Sequence, residues 1–345
     1  MPAQSILSES FYQSPAFYGP GSQILVQNDG CTVFKMENET GEGIMTRYPV
    51  LPGMELLYND MHITSVRANH NKIPCEDIME INHCREGRFE CEFADGSAVY
   101  LGVGDLSANM LTHPPCDSWF PLSHYHGISV MVDLRAAQDT LCQIGHIFGG
   151  TPIDLYVLRD RLCGRDNCFI IRATDAIQHI FSELYVAPSA IRSDYCKLKV
   201  LELLLFLNSA DLPALREKRA YITRTQADTI RAIRTYLVEH LERHITLPEL
   251  SAQFGIPLTT MKQNFKTVYG DTIGAYIQSY RMQKAMWLLQ ETDQSVTEIA
   301  GRVGYQNASK FSEVFRQFAG VTPSEYRKIP RPIGAESVLL EWKRN

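Results

Sequence analysis

Two short polar faces, about fifty residues apart, carry the side chains best placed for chemistry. Thr259, Lys262, Gln263 and Lys266 form the first; Asn307, Ser309, Lys310, Ser312, Glu313 and Arg316 form the second. Each set has helical spacing. Amides, hydroxyls and a carboxylate arranged in this way exchange hydrogen bonds with base edges, and lysine and arginine reach phosphates, when the helix lies in a major groove. The chemistry indicated is recognition of double-stranded DNA.

The elements that must position these faces are written twice. The first copy runs Leu250, Ser251, Gly255, Met261, Phe265, Lys266, Gly270, Thr272, Tyr276, and the second runs Ile299, Ala300, Gly304, Phe311, Phe315, Arg316, Gly320, Thr322, Tyr326. Up to the glycine of the turn the offset is 49, and beyond it 50, so one residue is inserted around Tyr305 to Asn307. Each copy has the grammar of a helix-turn-helix: a small residue where helices cross, a glycine for the sharp turn, then apolar residues at i and i+4 facing inward. Gly270 and Gly320 end the second helices. Between the copies, Thr272 to Gln290 reads as one helix. Its span of about 28 Å approaches the roughly 34 Å between successive major-groove faces. One chain is therefore expected to cover two half-sites.

Residues 226 to 328 resemble the DNA-binding domain of the AraC/XylS family of transcription regulators. The match is carried by Gly304-Tyr305, Ser309, Phe311, Phe315, Gly320, Thr322-Pro323 and Tyr326-Arg327, with Arg281, Ala285 and Leu288-Leu289 resembling the family's linker helix. Gln263 and Glu313 stand where the family often has arginine, and Ser251 where it usually has alanine. These departures bear on DNA sequence preference. The resemblance implies a transcription regulator, activator before repressor, that contacts RNA polymerase and answers to a small-molecule effector. Within the family, Leu258 to Tyr269 and the long front half are most similar to PchR-like regulators, which respond to ferric siderophores.

Composition agrees with two domains in 345 residues. The net charge of −6 is unevenly divided: residues 225 to 328 hold 12 Lys and Arg against 10 Asp and Glu, whereas residues 1 to 224 hold 18 against 27. So slight a positive excess predicts modest, salt-dependent non-specific affinity and two protomers on an operator. No membrane-length apolar run and no secretory start occur, so a cytoplasmic protein with no membrane partner is expected. The nine cysteines form no CxxC pair and read as reduced, mostly buried thiols, with Cys163 and Cys168 the first pair to consider for redox or metal sensing.

The front half reads as short strands followed by helices. Phe89, Cys91 and Phe93 alternate, and Ile128 to Val132 reads as a buried closing strand. The Gly104-Asp105-Leu106 turn and the His113-Pro114-Pro115 break resemble cupin-like sensor domains, which implies a small barrel able to enclose a ligand. His124 and His126 form an HxH on one strand face, but no glutamate follows between Gly127 and Val132. We therefore expect no metal, no cofactor and no enzyme, and read these histidines as pocket-lining or structural. Arg85, Arg88, Tyr100, His113, Trp119 and His126 are the candidate effector contacts. After Asp133 the period becomes helical over 134–148, 153–162, 174–185 and 190–208. In the last of these Leu198, Leu201 and Leu205 mark one face and Cys196, Val200, Leu204 and Leu207 another, so the first face is expected to contact the partner of a homodimer.

The expected fold class is α+β: an N-terminal cupin-like β-barrel with a helical dimerisation segment, then an all-α domain with two helix-turn-helix motifs. The divisions are an arm at 1–30, an effector and dimerisation domain at 31–210, a linker at 211–225, the DNA-binding domain at 226–328 and a tail at 329–345. Two readings compete. A cupin-type metalloenzyme fused to a DNA-binding module would need metal at His113, His124 and His126. A ligand-independent architectural DNA binder would show little sequence preference, against which the polar, weakly basic faces argue.

Overall fold

The computed structural model describes residues 22–328 apart from 29, 68–76, 94–97, 113–114, 151–152, 165–167, 189–190 and 216–223. The chain forms two compact units, Met1–Lys218 and Arg219–Asn345. Most of the expected arm, the 329–345 tail and His113 lie outside the described residues.

Among the described residues eleven strands precede the first helix: β1 (Gln23–Gln27), β2 (Thr32–Asn38), β3 (Gly41–Leu51), β4 (Met54–His62), β5 (Ser65–Arg67), β6 (Ile78–Gly87), β7 (Phe89–Glu92), β8 (Ala98–Leu101), β9 (Leu106–Met110), β10 (Asp117–Trp119) and β11 (Tyr125–Asp133). Helices α1 (Leu134–Phe148) and α2 (Leu155–Cys163) follow, then β12 (Cys168–Ile171), α3 (Asp175–Val186), α4 (Arg192–Ser209) and the short α5 (Leu212–Leu215). The strands make an eight-stranded sheet, β1-β2-β3-β4-β11-β6-β9-β12, and a four-stranded one, β5-β10-β7-β8.

Alternation along each strand serves two cores at once. Met54 and Leu56 of β4, Met79 and Ile81 of β6, and Ile128, Val130 and Val132 of β11 pack with Leu141, Leu158, Phe181, Val200 and Leu204 of the helices. The intervening residues Leu57, Met61, Cys84, Tyr125 and Met131 pack with Cys91, Val99 and Leu101 of the smaller sheet. At roughly 1.5–3 kcal/mol for each large apolar side chain taken from water, both faces of the large sheet contribute. The expected closed barrel is not found among the described residues: no pairing joins β1 to β12 or one sheet to the other. Layering against helices and a second sheet buries the faces that closure would otherwise have to bury.

Two short strands depart from the sequence reading. Residues 23–27, within the arm expected at 1–30, pair with β2 as an edge strand. Cys168–Ile171 pairs with β9 between two helices, and its four apolar residues are too few to show a period. The helices lie within two residues of their expected starts, with α1 begun by the Asp133 side chain accepting from the Arg135 and Ala136 N–H groups and ended by Gly149 at φ 65°. On α4, Cys196, Val200, Leu203, Leu204 and Leu207 are buried, Leu201 is half-buried, and Leu198 and Leu205 are 61% and 58% exposed.

The described residues of the second unit form helices only: α6 (Arg224–Glu239), α7 (Leu247–Gln253), α8 (Leu258–Tyr269), α9 (Ile273–Glu291), α10 (Val296–Arg302), α11 (Ala308–Ala319) and α12 (Pro323–Tyr326). The central α9 is shared. Tyr276, near its start, meets Phe265 of α8 edge to face at 5.4 Å. Met282, Ala285, Leu288 and Leu289, toward its end, form one core with Ile299, Ala300, Phe311 and Phe315 of α10 and α11. Among the described residues no helix is long and apolar enough to cross a membrane.

Candidate nucleic-acid interface

The repeat extends from apolar spacing to the helix caps. Thr246 and Glu249 close a capping box on α7, and Ser295 and Glu298 close the same box on α10, 49 positions on. Thr272 caps α9 and Thr322 caps α12, 50 positions on. Each box satisfies otherwise unpaired amide groups at a helix start. In return, the backbone N–H groups hold the Glu249, Glu298 and Glu325 carboxyls below the usual carboxylate range. Gly270 and Gly320 end α8 and α11 in the same left-handed turn, each at φ 78°.

The inserted residue lies in the second turn, which has five residues between helices where the first has four. Its consequence is a cap. Asn307 starts α11 by accepting from the Ser309 and Lys310 N–H groups at 2.8 and 3.0 Å, whereas Pro257 starts α8 with no side-chain cap. Sequence reasoning nominated Asn307 for DNA; its oxygen is committed to the helix, and its amide NH2 remains the group for a contact.

The two polar faces lie on the solvent side of their helices. Thr259, Lys262, Gln263 and Lys266 are exposed on α8, opposite Met261 and Phe265, which are fully buried. Ser309, Lys310, Glu313 and Arg316 are exposed on α11, opposite the buried Phe311 and Phe315. Three of the nominated side chains have intrahelical partners. Lys310 and Glu313 form an ion pair at 2.9 Å, and the Ser312 hydroxyl donates to the Ala308 carbonyl at 2.8 Å. An exposed pair of this kind contributes about 0–1 kcal/mol, so it can open toward a ligand at little cost.

The turns behind the faces differ in how tightly they are held. Gly255 has φ 62° with open space where a Cβ would sit, whereas Gly304 has φ 85° with the Leu241 carbonyl oxygen 2.1 Å from that point. The same carbonyl accepts from Arg281 Nη2 at 2.6 Å, tying α9 to the turn that follows α6. Ser251, the departure from alanine, is used locally: its hydroxyl donates to the Ile256 carbonyl at 2.6 Å across the first turn.

In the first unit the nominated effector residues fall into several places. Trp119 of β10 and Tyr100 of β8 both pair in register with Glu90 of β7, on the small sheet. Arg88 is buried beside Gly102. Arg85 lies over the Tyr185 ring of α3, 4.5 Å from its centre. His126 stands opposite Asp60 of β4 and Glu86 of β6, and shares the Glu86 carboxylate with Arg85, whose Nε is 3.4 Å from Glu86 Oε1. His126 Nε2 is 2.8 Å from Asp60 Oδ1 and its Nδ1 3.5 Å from Glu86 Oε2, while His62 Nε2 is 3.0 Å from the same Asp60 oxygen. Burial disfavours a charge on His126, but the two carboxylates outweigh it and raise its pKa to about 9. Burial pushes the neighbouring His124 down to about 4, and the His126 charge adds to that effect.

Sequence reasoning missed Asp60, His62 and Glu86. Asp60 and His62 left a signal, an i,i+2 pair on an alternating strand, but Glu86 did not. A β-bulge between His126 and Gly127 skips Arg85, so that Glu86 rather than Arg85 stands opposite His126. The cysteines described in the structure are all free thiols. Burial raises the Cys31, Cys84 and Cys196 thiols above their ordinary range, which favours the unreactive protonated form.

In the second unit, residues 250–329 match the helix-turn-helix domain family. Among curated proteins the chain is 28% identical over 224 residues to the uncharacterised HTH-type transcriptional regulator YdiP of Escherichia coli, covering 62% of this chain and 71% of YdiP. It is 34% identical over 93 residues to the HTH-type transcriptional activator RhaS of Klebsiella pneumoniae, covering 27% of this chain and only 34% of RhaS. Among solved structures, the DNA-binding domain of AdpA in complex with a target DNA is 26% identical, covering 29% of this chain and 89% of that one with a TM-score of 0.28.

Proposed function

We propose that the chain is a sequence-specific DNA-binding transcription regulator, an activator that contacts RNA polymerase, and that its first unit binds a small-molecule effector and joins two copies in a homodimer. The observation that carries this reading is the duplicated helix-turn-helix with a polar, solvent-facing surface on each second helix. RhaS, matched over that domain, is named a transcriptional activator, which supports the sign of regulation. An effector acts only if it has different affinities for two arrangements of the protein, since equal affinity shifts nothing. Arg85, Arg88, Tyr100, His113, Trp119 and His126 are the proposed contacts for it.

The test is selection from a random duplex pool by the purified full-length chain, followed by affinity measurements at two salt concentrations. Enrichment of a two-part site with half-sites about one helical turn apart is the expected outcome. Equal retention of all sequences would replace this reading with non-specific binding.

The dimer is tested separately. Leu198 and Leu205 are apolar and exposed on α4, so Leu198→Asp with Leu205→Asp should halve the mass measured by sedimentation equilibrium without lowering thermal stability. A doubly substituted chain that keeps the wild-type dimer would remove α4 from the interface.

A further inference from the structure

We propose that Asp60, His62 and His126 bind one divalent first-row transition-metal ion, with Glu86 as the outer carboxylate that orients His126. The three side chains come from two adjacent strands. Asp60 and His62 alternate along β4 and share a face, and His126 of β11 pairs in register with Asp60. Their donor atoms, one from each residue, lie within 4.8 Å of one another.

Two details favour convergence on an ion over a simple ion pair. Asp60 Oδ1 and His126 Nε2 are shielded from solvent and neither has a hydrogen-bond partner of good geometry, although 2.8 Å separates them. On the far side of the ring, His126 Nδ1 faces Glu86 Oε2 at 3.5 Å. A carboxylate behind a histidine, with the other nitrogen turned to the donors, is the arrangement that fixes the tautomer of a metal-bound imidazole.

The donor set selects the class of ion. Two imidazoles and one carboxylate suit zinc, iron(II), cobalt or nickel, whereas calcium and magnesium prefer oxygen ligands throughout. Ligand bonds of about 2.0–2.2 Å at tetrahedral angles place donors about 3.4 Å apart. The 2.8 and 3.0 Å separations at Asp60 therefore need to open by about half an ångström. His62 can supply this movement, because its side chain is 42% exposed. That exposure also provides the entry path, and three protein ligands leave a coordination position for water or another molecule. The inference stands whether or not the chain binds DNA.

The experiment is equilibrium dialysis of the full-length chain against cobalt(II) and zinc(II), with metal content, cobalt absorption spectrum and melting temperature as readouts. One ion per chain is expected, with cobalt d–d bands, no thiolate charge-transfer band and a higher melting temperature. His62→Gln and His126→Gln should each weaken binding at least 100-fold, and Glu86→Gln about 10–100-fold. His62→Gln changes a partly exposed side chain, so its metal-free melting temperature should match that of the wild type and separate loss of ligand from loss of fold. The proposal is overturned if the wild type takes up no ion at micromolar concentration, if a thiolate band appears, or if His62→Gln binds as tightly as wild type.

Discussion

Gly304→Ala should destabilise the second helix-turn-helix by about 2–6 kcal/mol, while Gly255→Ala, at the equivalent turn of the first, should cost only about 1–2 kcal/mol. Both glycines have positive φ, so any side chain meets backbone strain at either position. What separates them is space. A Cβ at Gly304 would sit 2.1 Å from the Leu241 carbonyl oxygen and 2.8 Å from Arg281 Nη2, and nothing lies within 4 Å of the corresponding point at Gly255. Accommodating it means moving backbone and breaking the Arg281 to Leu241 hydrogen bond. Thermal unfolding of the full-length variants, with DNA affinity measured alongside, checks the contrast. Equal losses at the two positions would show that the crowding at Gly304 relaxes without cost.

Lys262→Ala combined with Gln263→Ala should lower affinity for the selected site by more than 100-fold and leave binding to random DNA within a few-fold. A base-edge contact contributes about 1–3 kcal/mol of discrimination, and the two side chains are exposed on one face of α8. Arg316→Ala should behave differently. It is exposed toward the far end of α11, and if its role is phosphate contact its loss should weaken specific and random DNA alike and flatten the salt dependence by about one unit. Competition binding at two salt concentrations separates the two patterns. If the α8 double variant lost affinity for both kinds of DNA equally, its face would be a backbone contact and the reading of Gln263 as a base reader would fail.

The second unit was legible because its information is local. Gly255, Gly270, Met261 and Phe265 and their partners near 50 positions on occupy fixed offsets within one helix or turn, and helix geometry converts those offsets into faces without reference to the rest of the chain. Even the inserted residue showed itself, as a change of offset from 49 to 50. Its structural use as the Asn307 cap did not, because capping depends on which rotamer and backbone angles the turn adopts.

The first unit was less legible because sheets are built from distant residues. The alternation of β11 told that it was buried, but not that β4 and β6 would flank it. A closed barrel and two layered open sheets need the same alternating strands; they differ in which edges pair. The same physics governs His126. Judged by its own neighbours in sequence it had no carboxylate, and so no metal was expected.

What the amino-acid order determined by itself was the duplicated helix-turn-helix, the polar faces on α8 and α11 and the two-sided character of α4, all set by spacing within single helices. Only the tertiary structure decided the layering of the first unit and the grouping of Asp60, His62, Glu86 and His126. Strand pairing brings those four together across long stretches of chain, and one bulged residue turns Glu86 toward His126.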